Sequence, residues 1–448
     1  MKKLLSLFVV FVLGLAFTSF ADDARVGSSK KSLEQRIKEL EEKLKDAGVG
    51  GGVKGSGIKI SGYVDTSYLV NLADRANSGP IAGSSNQNNG RVFDNQFDSF
   101  NLNAFKLTIQ KDKDSSKFPA GFRVDTIMGE DAAVIKNNKL ANANGNDSDI
   151  VLEQAYVNLG VPIGNGIDVK MGKMVSLIGY EVIESPANWQ FSRSDAFRLS
   201  PFTQTGVTFA YQWNDTITTT AGVVNGMDGL NGNQGSINFN RDLSGVARMD
   251  LSFPKTGAGD FNLFAAGLVG NDNCVYNDAN VVSSSENMNI INAGLTWTKP
   301  FEVKELALGL DYLRRANDLA AAGTQTATVE ANAFSQYGKW DWNKWLSTSY
   351  RMSYTIYDCY PNGQANNYMG YLCPLTARNN SPLQSPQDIY SFTLTQGFNV
   401  WKDTLVRLEW RHDWTSCDSV GFGRAATGNS NDIRNSQDTI AVNVVYSF

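Results

Sequence analysis

The chain of 448 residues contains one histidine, His412, so any acid–base chemistry at neutral pH would start there. The run His412-Asp413-Trp414-Thr415-Ser416 brings a base near a hydroxyl, the minimum for ester hydrolysis at a barrel surface. Parity argues against that use. His412 shares a strand face with Trp410 and Trp414 and points to lipid or a neighbouring subunit, while Ser416 already lies in a loop. There is no HExxH, no GxSxG and no GxxxxGK[ST]. The expectation is a protein that is not an enzyme, with no catalytic residue, no cofactor and no metal site. The acidic clusters at 147–149 and 272–278 lack the ligand spacing of a Ca²⁺ loop and read as solvated loops.

Two other sets of charges remain. Arg123 and Asp125, Arg248 and Asp250, Arg351, and Arg407, Glu409 and Arg411 lie on alternating stretches, where the i, i+2 spacing puts each group on one face of a strand. The second set, Glu181, Glu184, Arg193, Asp195 and Arg198, lies in 172–206, GKMVSLIGYEVIESPANWQFSRSDAFRLSPFTQTG. That segment is too long for a turn and sits between two strand-like stretches, and loops of this size in a compact domain are usually functional. Folded into a pore, wall arginines facing loop acids would set a transverse field across a constriction. The same charges would equally serve by pairing with one another and holding the loop, and both uses are compatible.

These residues need a sheet to hold them. From 58 to 448 the hydrophobic period is two, and sixteen strands are predicted: 58–70, 100–110, 120–128, 150–160, 167–173, 202–213, 217–225, 244–253, 261–270, 288–298, 306–314, 328–339, 345–357, 389–400, 404–414 and 438–448. Strands 2, 4 and 9 alternate poorly, as they would at a bulge. Odd-numbered strands are followed by long connections and even-numbered ones by short connections, the pattern of an outer-membrane barrel. None of the eleven prolines is expected inside a strand, Pro254 being placed in a short turn. Trp213, Trp297, Trp340, Trp342, Trp345 and Trp401 flank short turns, as in an interfacial girdle. The fold class expected is all-β: a 16-stranded antiparallel transmembrane β-barrel with a short N-terminal helical extension. About sixteen strands enclose an aqueous channel.

Ahead of the barrel, 1–21 reads as a secretory signal: Lys2 and Lys3, an apolar run, then Ser19-Phe20-Ala21. Residues 28–46 read as a periplasmic coiled-coil helix with a seam of Leu33, Ile37, Leu40 and Leu44, and 47–57 as a Gly-rich linker to a barrel domain at 58–448. Two heptads are short for a coiled coil on their own, so several copies would have to be held together, as in a homotrimer. The net charge of −5 argues against nucleic acid. Of the cysteines, Cys274, Cys359, Cys373 and Cys417, none forms a CxxC pair. In an exported protein Cys359–Cys373 is the favoured disulfide because it closes the shortest loop.

Several segments resemble the OmpL-like outer-membrane β-barrel porin family: GYVDTSY (62–68), FNLN (100–103), GFRVDTIMGEDA (121–132), the run from Glu153 to Ser194, and PFTQTGVTFAYQW (201–213). The terminal Phe448 on an apolar/polar last strand is similar to the ending of outer-membrane proteins. The resemblance implies a channel. The short helix before the barrel also resembles trimeric porins with periplasmic extensions. General trimeric porins fold their third external loop into the pore, and 174–201 is the third long loop here by strand count. The reading is an outer-membrane porin for passive diffusion of small hydrophilic solutes and ions, narrowed by that loop, with outer-membrane lipid around it. The alternatives are a channel selective for phosphate, sugar or peptide, and a structural anchor joining the outer membrane to the cell wall.

Overall fold

A computed structural model describes residues 57–72, 88, 91–94, 96–135, 150–225, 243–272, 275–277, 280–282, 286–320, 326–358, 376–377, 386–417, 420–422 and 434–448. The signal segment, the coiled-coil seam of Leu33, Ile37, Leu40 and Leu44, nearly all of the linker, and the Cys359–Cys373 pair lie outside the described residues. So do the side chains of both acidic loop clusters.

Sixteen antiparallel strands close into a barrel. In chain order they are β1 (Ile58–Asn71), β2 (Ser99–Lys111), β3 (Ala120–Met128), β4 (Ile150–Val161), β5 (Ile167–Val175), β6 (Thr203–Gln212), β7 (Ile217–Val224) and β8 (Ser244–Thr256). They continue as β9 (Gly259–Asp272), β10 (Glu286–Thr298), β11 (Leu306–Ala320), β12 (Thr326–Asp341), β13 (Leu346–Asp358), β14 (Gln387–Phe398), β15 (Thr404–Trp414) and β16 (Ser436–Ser447). Each pairs with its sequence neighbour, and β16 returns to pair with β1. The backbones of Gly62 and Phe448 exchange both N–H···O bonds at 3.0 Å, so the last residue completes the seam and leaves no open edge there.

Alternation gives strands such as β13, β15 and β16 an apolar outer and a polar inner face, while the inner faces of β7–β11 also bury Val224, Val246, Leu268, Ile290 and Leu313. On β15, Leu408, Trp410 and Trp414 are exposed, while Arg407, Glu409, Arg411 and Asp413 are buried inside. The interior is therefore the polar side, and Arg351 and Arg407 are among its largest fully buried side chains. The six turn-flanking tryptophans include Trp213, Trp342, Trp345 and Trp401, all exposed, with Trp297 stacked on Phe261 at 5.2 Å. Among the described residues no helix is long and apolar enough to cross a membrane.

Two details differ from the strand pattern read in the sequence. Pro254 lies inside β8, at the register shift between Phe253 and Thr256, where a bulge removes the need for its N–H. β11 and β12 run on past Arg314 and pair up to Ala320 and Thr326, which reduces that connection to 321–325. Polar residues extend a ladder because backbone hydrogen bonds, and not apolar side chains, hold it. Register shifts also fall where strands 2 and 4 alternate poorly. They leave Asn103 and Glu153 as extra residues, and both side chains are buried inside.

Candidate functional site

The segment between β5 and β6, residues 176–202, folds back into the barrel. A 3₁₀ turn, Ser185–Ala187, and a short helix, Asp195–Leu199, interrupt it, the latter capped by Ser194 Oγ accepting from Phe197 N. A loop inside a barrel has few backbone partners of its own, so the wall supplies them. Arg407 Nη1 donates to the carbonyls of Ser185, Asn188 and Gln190 at 3.1, 3.1 and 2.9 Å. Arg411 Nη1 donates to the carbonyl of Arg193 at 2.7 Å, and Arg351 Nη1 to that of Ser192 at 2.8 Å. Glu409 does the opposite job, accepting from the N–H groups of Phe191 and Ser192 at 2.7 and 2.9 Å.

The loop's own charges are all engaged. Glu181 accepts from Arg351 at 2.8 Å and from Ser194 N at 2.7 Å. Arg193 folds over its own loop, donating to the carbonyls of Val182, Phe191 and Ile183 while its guanidinium lies over Phe93 and Phe197. Asp195 pairs with Arg198, which donates to the Tyr357 hydroxyl. Glu184 reaches Lys106 on β2 at 2.7 Å.

Lys106 is a residue that strand parity did not single out. Its ammonium meets three carboxylates: Glu184 at 2.7 Å, Glu153 at 2.9 Å and Asp125 at 3.1 Å. Three donors meet three acceptors, and the place a cation would take among these acids is filled by the ammonium. The bulge at Glu153 turns that carboxylate inward. Arg123 clamps Asp125 from the other side with two bonds of 2.9 Å. Burial pushes the Glu184 carboxyl up, but the Lys106 ammonium outweighs it and holds the group below its ordinary value of 4.5.

The described residues 91–94 of the first loop and 130–135 of the second also pack inside the barrel. Arg91 pairs with Asp413 at 2.6 Å and also with Asp94. Val92 and Phe93 join Ala132 and Ile135 of the helix Glu130–Ile135 and Ile183, Phe197 and Phe202 of the third loop in one apolar cluster. The signal was present in the sequence as RVFDNQF (91–97), an apolar knot in an otherwise polar loop.

The loop is thus tied to β2, β13 and β15. On the opposite side its start is held by Asn292 of β10, which accepts from Gly179 N at 2.8 Å, and by Arg248 of β8, which donates to the Leu177 carbonyl at 3.0 Å. Between the loop and the β8–β10 wall a cleft of about 270 Å³ remains. It is lined by Tyr180, Trp189 and Gln190 from the loop and by Arg248, Asp250, Asn262 and Phe264 from the wall. Burial moves the Tyr180 hydroxyl up to about 12, so it stays neutral; it accepts from Thr296 at 3.2 Å.

Of the sequence-predicted set, Arg351, Arg407, Glu409 and Arg411 face inward but lie beneath the loop, fully covered by it. Arg123 and the pair Arg248–Asp250 keep part of their surface uncovered. His412 faces outward, bonded to Asp438 at 2.9 Å and stacked between Trp410 and Trp414, while the Ser416 hydroxyl bonds Asp388. The histidine and the serine are not partners.

Among solved structures, the chain is similar in fold to the outer-membrane channel DcaP of Acinetobacter baumannii, with a TM-score of 0.55 and 10% identity over 89% of this chain and 100% of that one. It is also similar to OmpT of Vibrio cholerae in its trimer form, with a TM-score of 0.51 and 10% identity over 87% and 99%. A loop-deletion mutant of OmpT gives 0.53 and 9% identity over 87% and 99%. No curated protein matches the sequence. Residues 57–448 match the family described as "Putative beta-barrel porin-2, OmpL-like". With a closed sixteen-strand barrel, a polar interior and a loop bound inside it, the chain belongs to this family of outer-membrane porins.

Proposed function

We propose that the protein is a passive channel for small hydrophilic solutes and ions, narrowed by its third outer loop. The observation that carries this is uneven anchoring: the body of the loop is tied to β2 and β13–β15, while its start is held to β8 and β10 through Arg248 and Asn292. The buried charges Arg351, Arg407, Glu409 and Arg411 press the loop to β13–β15, and a cleft is left against β8–β10. In this reading Glu181, Glu184, Arg193, Asp195 and Arg198 fix the constriction's shape, because their charges are spent on partners. Of the wall charges, Arg123 and the Arg248–Asp250 pair keep part of their surface uncovered, but each is already ion-paired, which fits weak ion selectivity. No covalent chemistry is involved, and the driving force is the solute gradient.

The native assembly is a homotrimer in the outer membrane, with 1–21 removed on export and 28–46 forming a periplasmic coiled coil. The trimer form of the similar OmpT and the a/d seam of Leu33, Ile37, Leu40 and Leu44 support this. Planar-bilayer recording on the purified full-length protein tests the reading. Current steps arriving in threes with weak ion selectivity are expected. A folded, heat-modifiable barrel that passes no current would overturn the channel and leave the cell-wall anchor.

A further inference from the structure

We propose that the cleft between the inserted loop and the β8–β10 wall binds a neutral saccharide ring as a step in passage through the channel. The inference rests on the channel reading above and adds the solute class.

Charge is the first argument. Arg248 is committed to Asp250 at 2.9 Å and to the Leu177 carbonyl at 3.0 Å, with its guanidinium 3.9 Å from the centre of the Phe264 ring. Glu181, at the cleft's edge, is committed to Arg351 and Ser194. Cation and carboxylates cancel locally, so neither an anion nor a cation finds an uncompensated partner.

The aromatic rings are the second. Tyr180 and Tyr337 stack with centroids 4.7 Å apart, and Trp189 meets Tyr337 edge-on at 6.5 Å. The wall is cut back to seat this group. A Cβ on Gly309 would lie 2.0 Å from the Tyr180 hydroxyl oxygen, and one on Gly294 would lie 2.3 Å from Phe264 Cε1. The apolar C–H face of a pyranose packs on such rings, while its hydroxyls need planar polar groups at the edge.

Those groups are present. Gln190 is only 1% exposed, lines the cleft, and its amide nitrogen has no hydrogen-bond partner among the described residues. A buried donor left unpaired is costly, and a turn of the Gln190 side chain toward the cleft would let a solute hydroxyl accept from it. Asn262 and the uncovered edge of Asp250 offer further donors and acceptors. The volume of about 270 Å³ is close to the lower end of the roughly 300–1,000 Å³ of small-molecule sites, room for a single ring.

The test is ion current through the full-length protein in planar bilayers with glucose, a single neutral pyranose, added to one side. The expected result is a saturable fall in current. Trp189→Ala raises the half-blocking concentration about tenfold, the equivalent of one stacking contact. Trp189→Phe, checked for heat-modifiable folding alongside it, restores most of the block. Succinate and lysine at equal concentration leave the current unblocked. No saturable block by glucose, a stronger block by succinate or lysine, or unchanged block in Trp189→Ala would overturn the saccharide assignment and leave the channel standing. A wild-type protein that carries no current would overturn both.

Discussion

Arg351 on β13 and Glu181 on the inserted loop lie 2.8 Å apart, and both side chains are shut away from solvent. Arg351 also donates to Ser192 and Thr393, so one wall residue holds two points of the loop. Removing one partner of a buried pair costs about 3–5 kcal/mol, because the other charge is left uncompensated. Arg351→Met should therefore lower unfolding stability by roughly that amount. It should also make the single-channel current noisier, since the loop loses its tether. Denaturant unfolding together with bilayer recording checks both; a quiet channel of unchanged stability would contradict the assignment.

Lys106 makes a second, independent tether. Lys106→Met leaves Asp125, Glu153 and Glu184 facing one another with oxygens within 4.8 Å. Like charges at that distance repel, and the loss should again be about 3–5 kcal/mol. Adding Glu184→Gln to Lys106→Met should recover part of it by removing one of the repelling charges. A double-mutant cycle on unfolding midpoints reads this directly; strict additivity would show that the groups are not coupled.

The same contact predicts a pH dependence. Glu184 is held below its ordinary 4.5 in the folded protein, so its contribution is fully present above that value. It is lost as pH falls through the lower, folded-state value. Glu184→Gln should thus be less stable than wild type at neutral pH, and the gap should close on acidification. Asp131 works in the opposite sense. Burial, with Asp65 nearby, raises its carboxyl well above the ordinary range, so it costs stability at neutral pH and ceases to do so as it protonates. Asp131→Asn should stabilise the fold at neutral pH and have little effect in acid. Thermal midpoints across the pH range test both signs.

Gly309 gives a test of the cleft's floor. Gly309→Ala would push the Tyr180 ring off its seat and into the remaining opening. The end of a side chain moves more easily than a strand, so the cost should be about 1–3 kcal/mol with the barrel intact. Conductance should fall. An increase would mean that Tyr180 does not border the conducting path.

Much of the barrel was legible because lipid demands it. A strand with lipid on one side and water or polar loop on the other must alternate, and β13 and β16 do so along their length and β15 from Arg407 onward. Parity was enough to put Arg351, Arg407, Glu409 and Arg411 inside. Parity could not say that the loop would cover them, because contacts such as Arg407 to Ser185, more than two hundred residues away, leave no local pattern. Lys106 and Glu153 were missed for a different reason. Bulges in β2 and β4 disturb the period of two beside them, and the resulting side-chain direction is visible only once the register is known. The cleft was also illegible, since its aromatic residues come from three separate elements: Tyr180 and Trp189 from the loop, Phe264 from β9 and Tyr337 from β12. Pro254 and the long β11–β12 hairpin show the limit of reading strand ends from apolar residues alone.

The most direct test of the account is single-channel conductance of the wild type beside a variant in which 180–193 is replaced by a short Gly-Ser link. The account predicts a folded barrel in both and a several-fold larger conductance in the variant, because the loop occupies the lumen and leaves a cleft of about 270 Å³ against the β8–β10 wall. Equal conductance in the two proteins would contradict it.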